Sequence, residues 1–239
     1  MAGMLAFMLA CAANAALLPA YRATRPARQS AAAGPSVWRD RAFLALVLSY
    51  SGYYILMVQM LMLLPLSLQQ QTGSASAAGW LYAEQTAMML LLAYPLTRYL
   101  ERRWSRERCI CGGLALITLS LLLIPLWHSA IATLSCAALF MLGALAVEPA
   151  REGQLMSLAK PHARARYIGA GRLGQAIGGA SGYLIGGALA DLAHTLSAPS
   201  LPWLALGAIG ALTLLRLRTV FKPQLLGPSE SSATALSRI

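Results

Sequence analysis

Charge is scarce in this sequence, and acidic charge scarcest of all: Asp and Glu together number 8 in 239 residues, and charged residues make up 11%. A soluble domain carries about 25% charged residues, so a water-soluble fold is excluded as the main architecture. Cysteine occurs only as Cys11, Cys109, Cys111 and Cys136. The lone C-x-C has no second pair and no neighbouring histidines, so it is not a metal-ligand set. All four fall in or at the ends of apolar runs and read as small apolar residues. The three histidines are scattered. No P-loop and no nucleophile–base pair is present, so no enzyme activity, metal or cofactor is expected. No run contains a retinal-type lysine, which weighs against a seven-helix receptor.

What is abundant is apolar sequence: 58% of residues are hydrophobic and mean hydropathy is +0.59. A transmembrane helix needs about 20 mostly apolar residues. Seven such windows occur: Met1–Leu18, Ala42–Leu66, Gly79–Leu100, Cys109–Trp127, Ala130–Val147, Tyr167–Ala190 and Leu201–Leu217. The runs are continuous and do not alternate with period two, which predicts helices rather than barrel strands. The expected fold is all-α and integral to the membrane, with about seven transmembrane helices.

A net charge of +11 could point to nucleic acid, but its distribution points elsewhere. Arg22, Arg25, Arg28, Arg39 and Arg41 lie between the first and second windows. Arg98, Arg102, Arg103, Arg106 and Arg108 lie at or after the end of the third. Arg151, Lys160, Arg164 and Arg166 follow the fifth, and Arg216, Arg218, Lys222 and Arg238 lie at or after the end of the seventh. The connections after the second, fourth and sixth have no Lys or Arg. This alternation is what the positive-inside rule produces. It predicts an outer N-terminus and a cytoplasmic C-terminus, and no nucleic-acid partner. Ala13-Asn14-Ala15 resembles a signal-peptide cleavage site, but no basic residue precedes the apolar run.

The chain then divides into four segments. Residues 1–18 form an isolated transmembrane helix and 19–41 a basic cytoplasmic linker, either a solvated tether or a segment lying on anionic lipid. Residues 42–222 form a six-helix membrane bundle. Residues 223–239 form a Ser- and Pro-rich tail expected to be disordered.

Several residues within these windows could carry chemistry. Glu84 lies inside the third, where an ionised carboxylate is costly. It either faces the bundle interior and takes a proton, or reaches the outer interface. Arg172 lies near the inner end of the sixth, snorkelling to the surface or facing a cavity. Glu148, Arg151 and Glu152 share one helical face if the fifth helix continues past Val147, either as an ion-pair set or as a solvated helix end. Tyr50, Tyr53, Tyr54 and Met57 cluster on one face of the second, as packing or as an adaptable lining for apolar compounds. Gln59 falls on the opposite face.

The stretch Tyr167–Gly179 (YIGAGRLGQAIGG) contains a literal G-x-G-x-x-G. A dinucleotide loop needs a strand before it, and the preceding KPHARARY is not strand-like. Gly174, Gly178, Gly182 and Gly186 recur every four residues instead, the spacing of a small-residue face that lets helix backbones approach closely.

Specific stretches match a family. They are Gly52–Leu66 (GYYILMVQMLMLLPL), Trp80–Glu84 (WLYAE), Tyr94–Arg98 (YPLTR), Glu148–Glu152 (EPARE), Ala163–Tyr167 (ARARY), Gly171–Tyr183 (GRLGQAIGGASGY) and Leu201–Leu204 (LPWL). In that order, the chain resembles the C-terminal half of the major facilitator superfamily, in particular its bacterial drug–proton antiporters. The first window then corresponds to helix six of such a transporter and the others to helices seven to twelve. The resemblance implies a secondary transporter, or half of one, in the bacterial inner membrane. It would expel lipophilic drug-like compounds by alternating access coupled to protons, and Glu84 is its proton-coupling candidate. The family's polar position, three after the tyrosine of W-x-Y, is Gln85 here. Glu84 comes one residue earlier, turned by about 100°. With the tyrosines, Met57 and Arg172, Gln85 is a candidate for the substrate cavity. The resemblance also implies that Glu148, Arg151 and Glu152 latch one conformation. Implied partners are membrane lipid, a small lipophilic substrate, protons, and an N-terminal half-transporter or a second copy. The alternative is a truncated, non-transporting membrane fragment that needs a separate N-terminal half.

Overall fold

The structure is a computed structural model and describes Met8 and residues 37–127, 129–159 and 163–226. The rest of the expected first span, the linker up to Ser36 and the tail beyond Leu226 lie outside the described residues. Apart from Met8, the described residues belong to one compact unit, Pro35–Ile239.

Among the described residues, seven α-helices account for the six expected spans of this unit. They are α1 (Arg41–Gln59), α2 (Leu63–Thr72), α3 (Ala77–Arg103), α4 (Arg106–Leu123), α5 (Ala130–Leu158), α6 (Arg164–Thr195) and α7 (Leu201–Leu226). No strand occurs among the described residues, so the G-x-G-x-x-G stretch lies wholly within α6. The α1–α2 unit, α4, α5, α6 and α7 each contain a stretch long and apolar enough to cross a membrane. At 27 residues α3 is about 40 Å long, but Glu84 and Gln85 lower its hydropathy, and it does not meet that mark.

The second window is broken rather than continuous. The helix interrupts at Met60–Met62 and resumes at Leu63. Pro65 lies in the first turn of α2, where its missing N–H is not required. The helix then runs on to Thr72 through residues expected to form a loop. Gly73 ends it with φ +66°, a left-handed C-cap that glycine adopts without strain. Similarly, the polar segment after Val147 is not a loop. α5 passes through Pro149 to Leu158, which keeps Glu148, Arg151 and Glu152 on helical spacing. At the C-terminal end, Pro223–Leu226 continue α7.

Short connections return the chain from one end of the bundle to the other. At one end Arg106 donates to the Gly153 carbonyl (3.3 Å), and Tyr167 donates to Asp40 (2.9 Å). At the opposite end Thr133 donates to Gln71 (3.0 Å). The arginines that flank the spans therefore share one end. α4 packs against α5 and α7, α1 against α6 and α7, and α3 against α5. The core centres on Tyr53, Leu56, Leu64, Leu81, Ile110, Leu114, Ile117 and Phe140, all buried. The α4–α5 contact is backbone to backbone: a Cβ on Gly113 would lie 2.6 Å from the Gly143 carbonyl oxygen. Many large apolar side chains point outward, among them Leu90, Leu91, Tyr94, Ile131 and Leu184. That is a liability in water but the favoured arrangement in lipid.

Candidate functional site

Tyr50, Tyr53 and Tyr54 lie at i, i+3 and i+4 on α1, so one face carries all three phenols. Opposite them is α5, with Glu148, Arg151 and Glu152. Arg151 is only 3% exposed, not the solvated helix end that sequence left open. A buried charge is costly unless it is paired and hydrogen-bonded, and Arg151 is both. Its Nη2 lies 2.6 Å from Glu148 Oε1 and 3.6 Å from Glu152 Oε1, and its Nε donates to Glu148 Oε2 at 3.4 Å. Its guanidinium sits over the rings of Tyr54 (5.1 Å) and Tyr50 (5.9 Å), within cation–π range. The Tyr53 hydroxyl donates to Glu148 Oε2 at 3.1 Å. The hydroxyls of Tyr50 and Tyr54 are buried with no hydrogen-bond partner among the described residues.

The chain of contacts continues to α6. Arg172 donates to Glu152 Oε1 (3.2 Å) and to Gln175 Oε1 (2.9 Å), with its side chain 61% exposed. Between these groups is a crevice of about 30 Å³, lined by Arg151, Glu152, Tyr167 and Arg172. Three helices thus meet in one ionic network that is buried at Arg151 and open to the surroundings at Arg172. It offers no nucleophile and no metal cage. Among the described residues no three His, Cys, Asp or Glu side chains group closely enough to hold a metal ion. The network's contacts link α1, α5 and α6 through charged and hydroxyl groups.

The other candidates stand apart. Met57 is half-buried one turn along α1 and packs against the core. Glu84 and Gln85 are half-buried on α3, one turn after the fully buried Leu81. Glu84 Oε2 and Gln85 Nε2 are buried and have no partner among the described residues. Unpaired polar atoms in such a place are costly.

The glycine stripe of α6 faces α1. A Cβ on Gly178 would lie 2.5 Å from the Ser51 carbonyl oxygen, and one on Gly182 3.0 Å from the Ile55 Cα. One on Gly186 would lie 2.5 Å from Gln59 Oε1, and one on Gly174 would meet the Val47 side chain. Sequence reasoning missed the polar bonds that accompany this approach. Ser51 donates to the Gly174 carbonyl (3.2 Å), and Gln59 Nε2 donates to the Gly182 carbonyl (2.9 Å). Gln59 points away from the tyrosine lining, as its spacing indicated, but into α6. The signal was the eight-residue spacing of Ser51 and Gln59, which matches that of Gly174 and Gly182. Asp40 was also missed. It caps α1 by accepting from the Phe43 amide and receives the Tyr167 hydroxyl.

A family model described as Major Facilitator Superfamily matches residues 42–238. The chain is 43% identical over 216 residues to "Multidrug resistance protein MdtH" of Aeromonas hydrophila, covering 90% of this chain and 54% of that protein. It is 42% identical over 226 residues to the MdtH of Edwardsiella ictaluri, covering 93% and 56%. It is 42% identical over 208 residues to the MdtH of Yersinia pestis, covering 87% and 52%. The chain therefore spans about half the length of the curated relatives it matches.

Proposed function

This chain belongs to the major facilitator superfamily, and on that premise we propose that its six-helix bundle forms one wall of a pathway expelling small lipophilic compounds. The pathway works by alternating access and proton coupling in a bacterial inner membrane, with the arginine-rich end in the cytoplasm. One observation supports it above the rest: the buried Arg151 ties α5 to α1 through Glu148 and the tyrosines, and Glu152 extends the tie to α6. Such a junction holds the basic end closed until helices move. A substrate or proton that binds the open form better shifts the populations towards it. Glu84 is the proton-coupling group in this reading, and the relatives' name, multidrug resistance, supports drug-like substrates.

The pathway's other wall comes from an N-terminal half, in the same or a separate polypeptide. That the matched region is about half the length of the relatives supports this. Co-expression with the N-terminal half of the Aeromonas hydrophila relative should lower accumulation of a fluorescent lipophilic cation. The chain expressed alone should not. Unchanged accumulation in both cases, with both polypeptides found in the membrane, removes the transport reading. In everted vesicles from the efflux-competent pair, Glu84→Gln should abolish drug-induced proton movement while leaving drug binding intact. Unaltered coupling takes Glu84 out of the mechanism.

A further inference from the structure

At the arginine-rich end, away from the tyrosine network, a groove of about 1020 Å³ opens between the end of α3, the start of α4 and the last part of α7. Arg103, Arg108 and Arg218 line it against the single carboxylate of Glu107. Its floor is apolar, formed by Cys111, Gly112 and Leu215. Trp104 forms one wall. A Cβ on Gly112 would lie 3.0 Å from the Trp104 ring, so the absence of a side chain there seats the indole.

The apolar floor does not stop at the groove. Leu116 and Leu119 follow Gly112 by one and two turns on α4, and Leu212 precedes Leu215 by about one turn on α7. Leu116, Leu119, Leu212 and Leu215 are all exposed. α4 and α7 pack together along this length, where a Cβ on Gly210 would meet the Thr118 side chain. Excess positive charge at the membrane edge therefore opens directly onto a leucine track running towards the bilayer centre. A tryptophan stands at the boundary, where its amphipathic ring is favoured.

We propose that this groove is a site for one anionic phospholipid, its phosphodiester held by Arg103, Arg108 and Arg218 and an acyl chain laid along the leucine track. Guanidinium groups suit phosphate oxygens because their donors are planar and paired. Basic pockets between helices at a membrane face bind anionic headgroups on the same grounds. A free phosphate ester would use the arginines but gain nothing from the leucines.

The test is native mass spectrometry of the full chain in a neutral detergent, titrated with phosphatidylglycerol and, separately, with phosphatidylethanolamine. One phosphatidylglycerol should be retained in preference. The variant R103Q/R108Q/R218Q should bind it more weakly by on the order of tenfold or more. The charge-matched variant R41Q/R102Q/R166Q, altered on exposed arginines outside the groove, should bind it as the original does. Equal loss in both variants would reduce the site to general surface charge and overturn the proposal. So would full competition by soluble glycerol phosphate, which would show that the acyl track contributes nothing. Should the arginine variant fail to fold, L212Q/L215Q decides: it keeps the arginines and should still lose the lipid, and undiminished retention refutes the site.

Discussion

Arg151→Met should destabilise the bundle by about 3 kcal/mol, the lower part of the range for breaking a buried ion pair. Arg151 is almost wholly buried, and its removal strips Glu148 of its ion pair, the Tyr53 hydroxyl remaining as a hydrogen-bond donor to it among the described residues. Glu148 is 43% exposed, so its carboxylate can recover some hydration, which keeps the loss from the top of that range. Tyr50 and Tyr54 also lose the cation over their rings. The double variant E148Q/R151M should recover most of the loss. Replacing both members of a buried pair with neutral groups is often nearly neutral, whereas stranding one is not. Unfolding titrations in mixed micelles measure both. If the single variant matches the original to within about 0.5 kcal/mol, a value typical of exposed pairs, the network does not hold these helices together.

Gly178→Ala should cost about 2–3 kcal/mol, the expected penalty for overpacking a close contact. The new Cβ would lie 2.5 Å from the Ser51 carbonyl oxygen, 2.9 Å from its Cα and 2.9 Å from the Tyr54 Cβ. None of these is the tip of a flexible side chain, so relief requires α1 and α6 to separate. Separation would break the Ser51–Gly174 and Gln59–Gly182 bonds next to the contact. Two neighbours serve as controls. At Gly179 the nearest atom to a new Cβ is 3.9 Å away, and at Gly169 nothing lies within 4 Å. Alanine there should be neutral or stabilising by up to about 1 kcal/mol, because glycine is a poor helix former. Equal stability of G178A and G179A in the same titration would show that the α1–α6 contact is loose.

The sequence made the architecture legible to different degrees along the chain. Five of the helical spans in the described unit fall where apolar runs place them, since burial in lipid needs only local hydrophobicity and length. α3 was legible by length, although its internal Glu84 and Gln85 reduce the hydropathy signal. The ends were misjudged for a local reason. The last part of α2 (SLQQQT) and the second half of α5 are rich in polar residues, so the apolar runs stop short of Thr72 and Leu158. The break at Met60–Met62 was equally hidden, because LMLLPL is apolar throughout and only its proline hints at irregularity.

The candidate site divides along the same line. That Glu148, Arg151 and Glu152 share a face follows from helical spacing, as does the clustering of Tyr50, Tyr53 and Tyr54. By itself the sequence determined two things: a helical membrane chain with alternating basic ends, and a resemblance to a family whose model also matches its residues 42–238. Both rest on hydrophobicity, charge and residue identity read in order along the chain. Only the tertiary structure decided that Tyr53 meets Glu148, 95 residues away, and that Ser51 meets Gly174, 123 residues away. Which faces meet depends on how whole helices pack, and that is set by the fit of every neighbouring side chain rather than by any local run of residues.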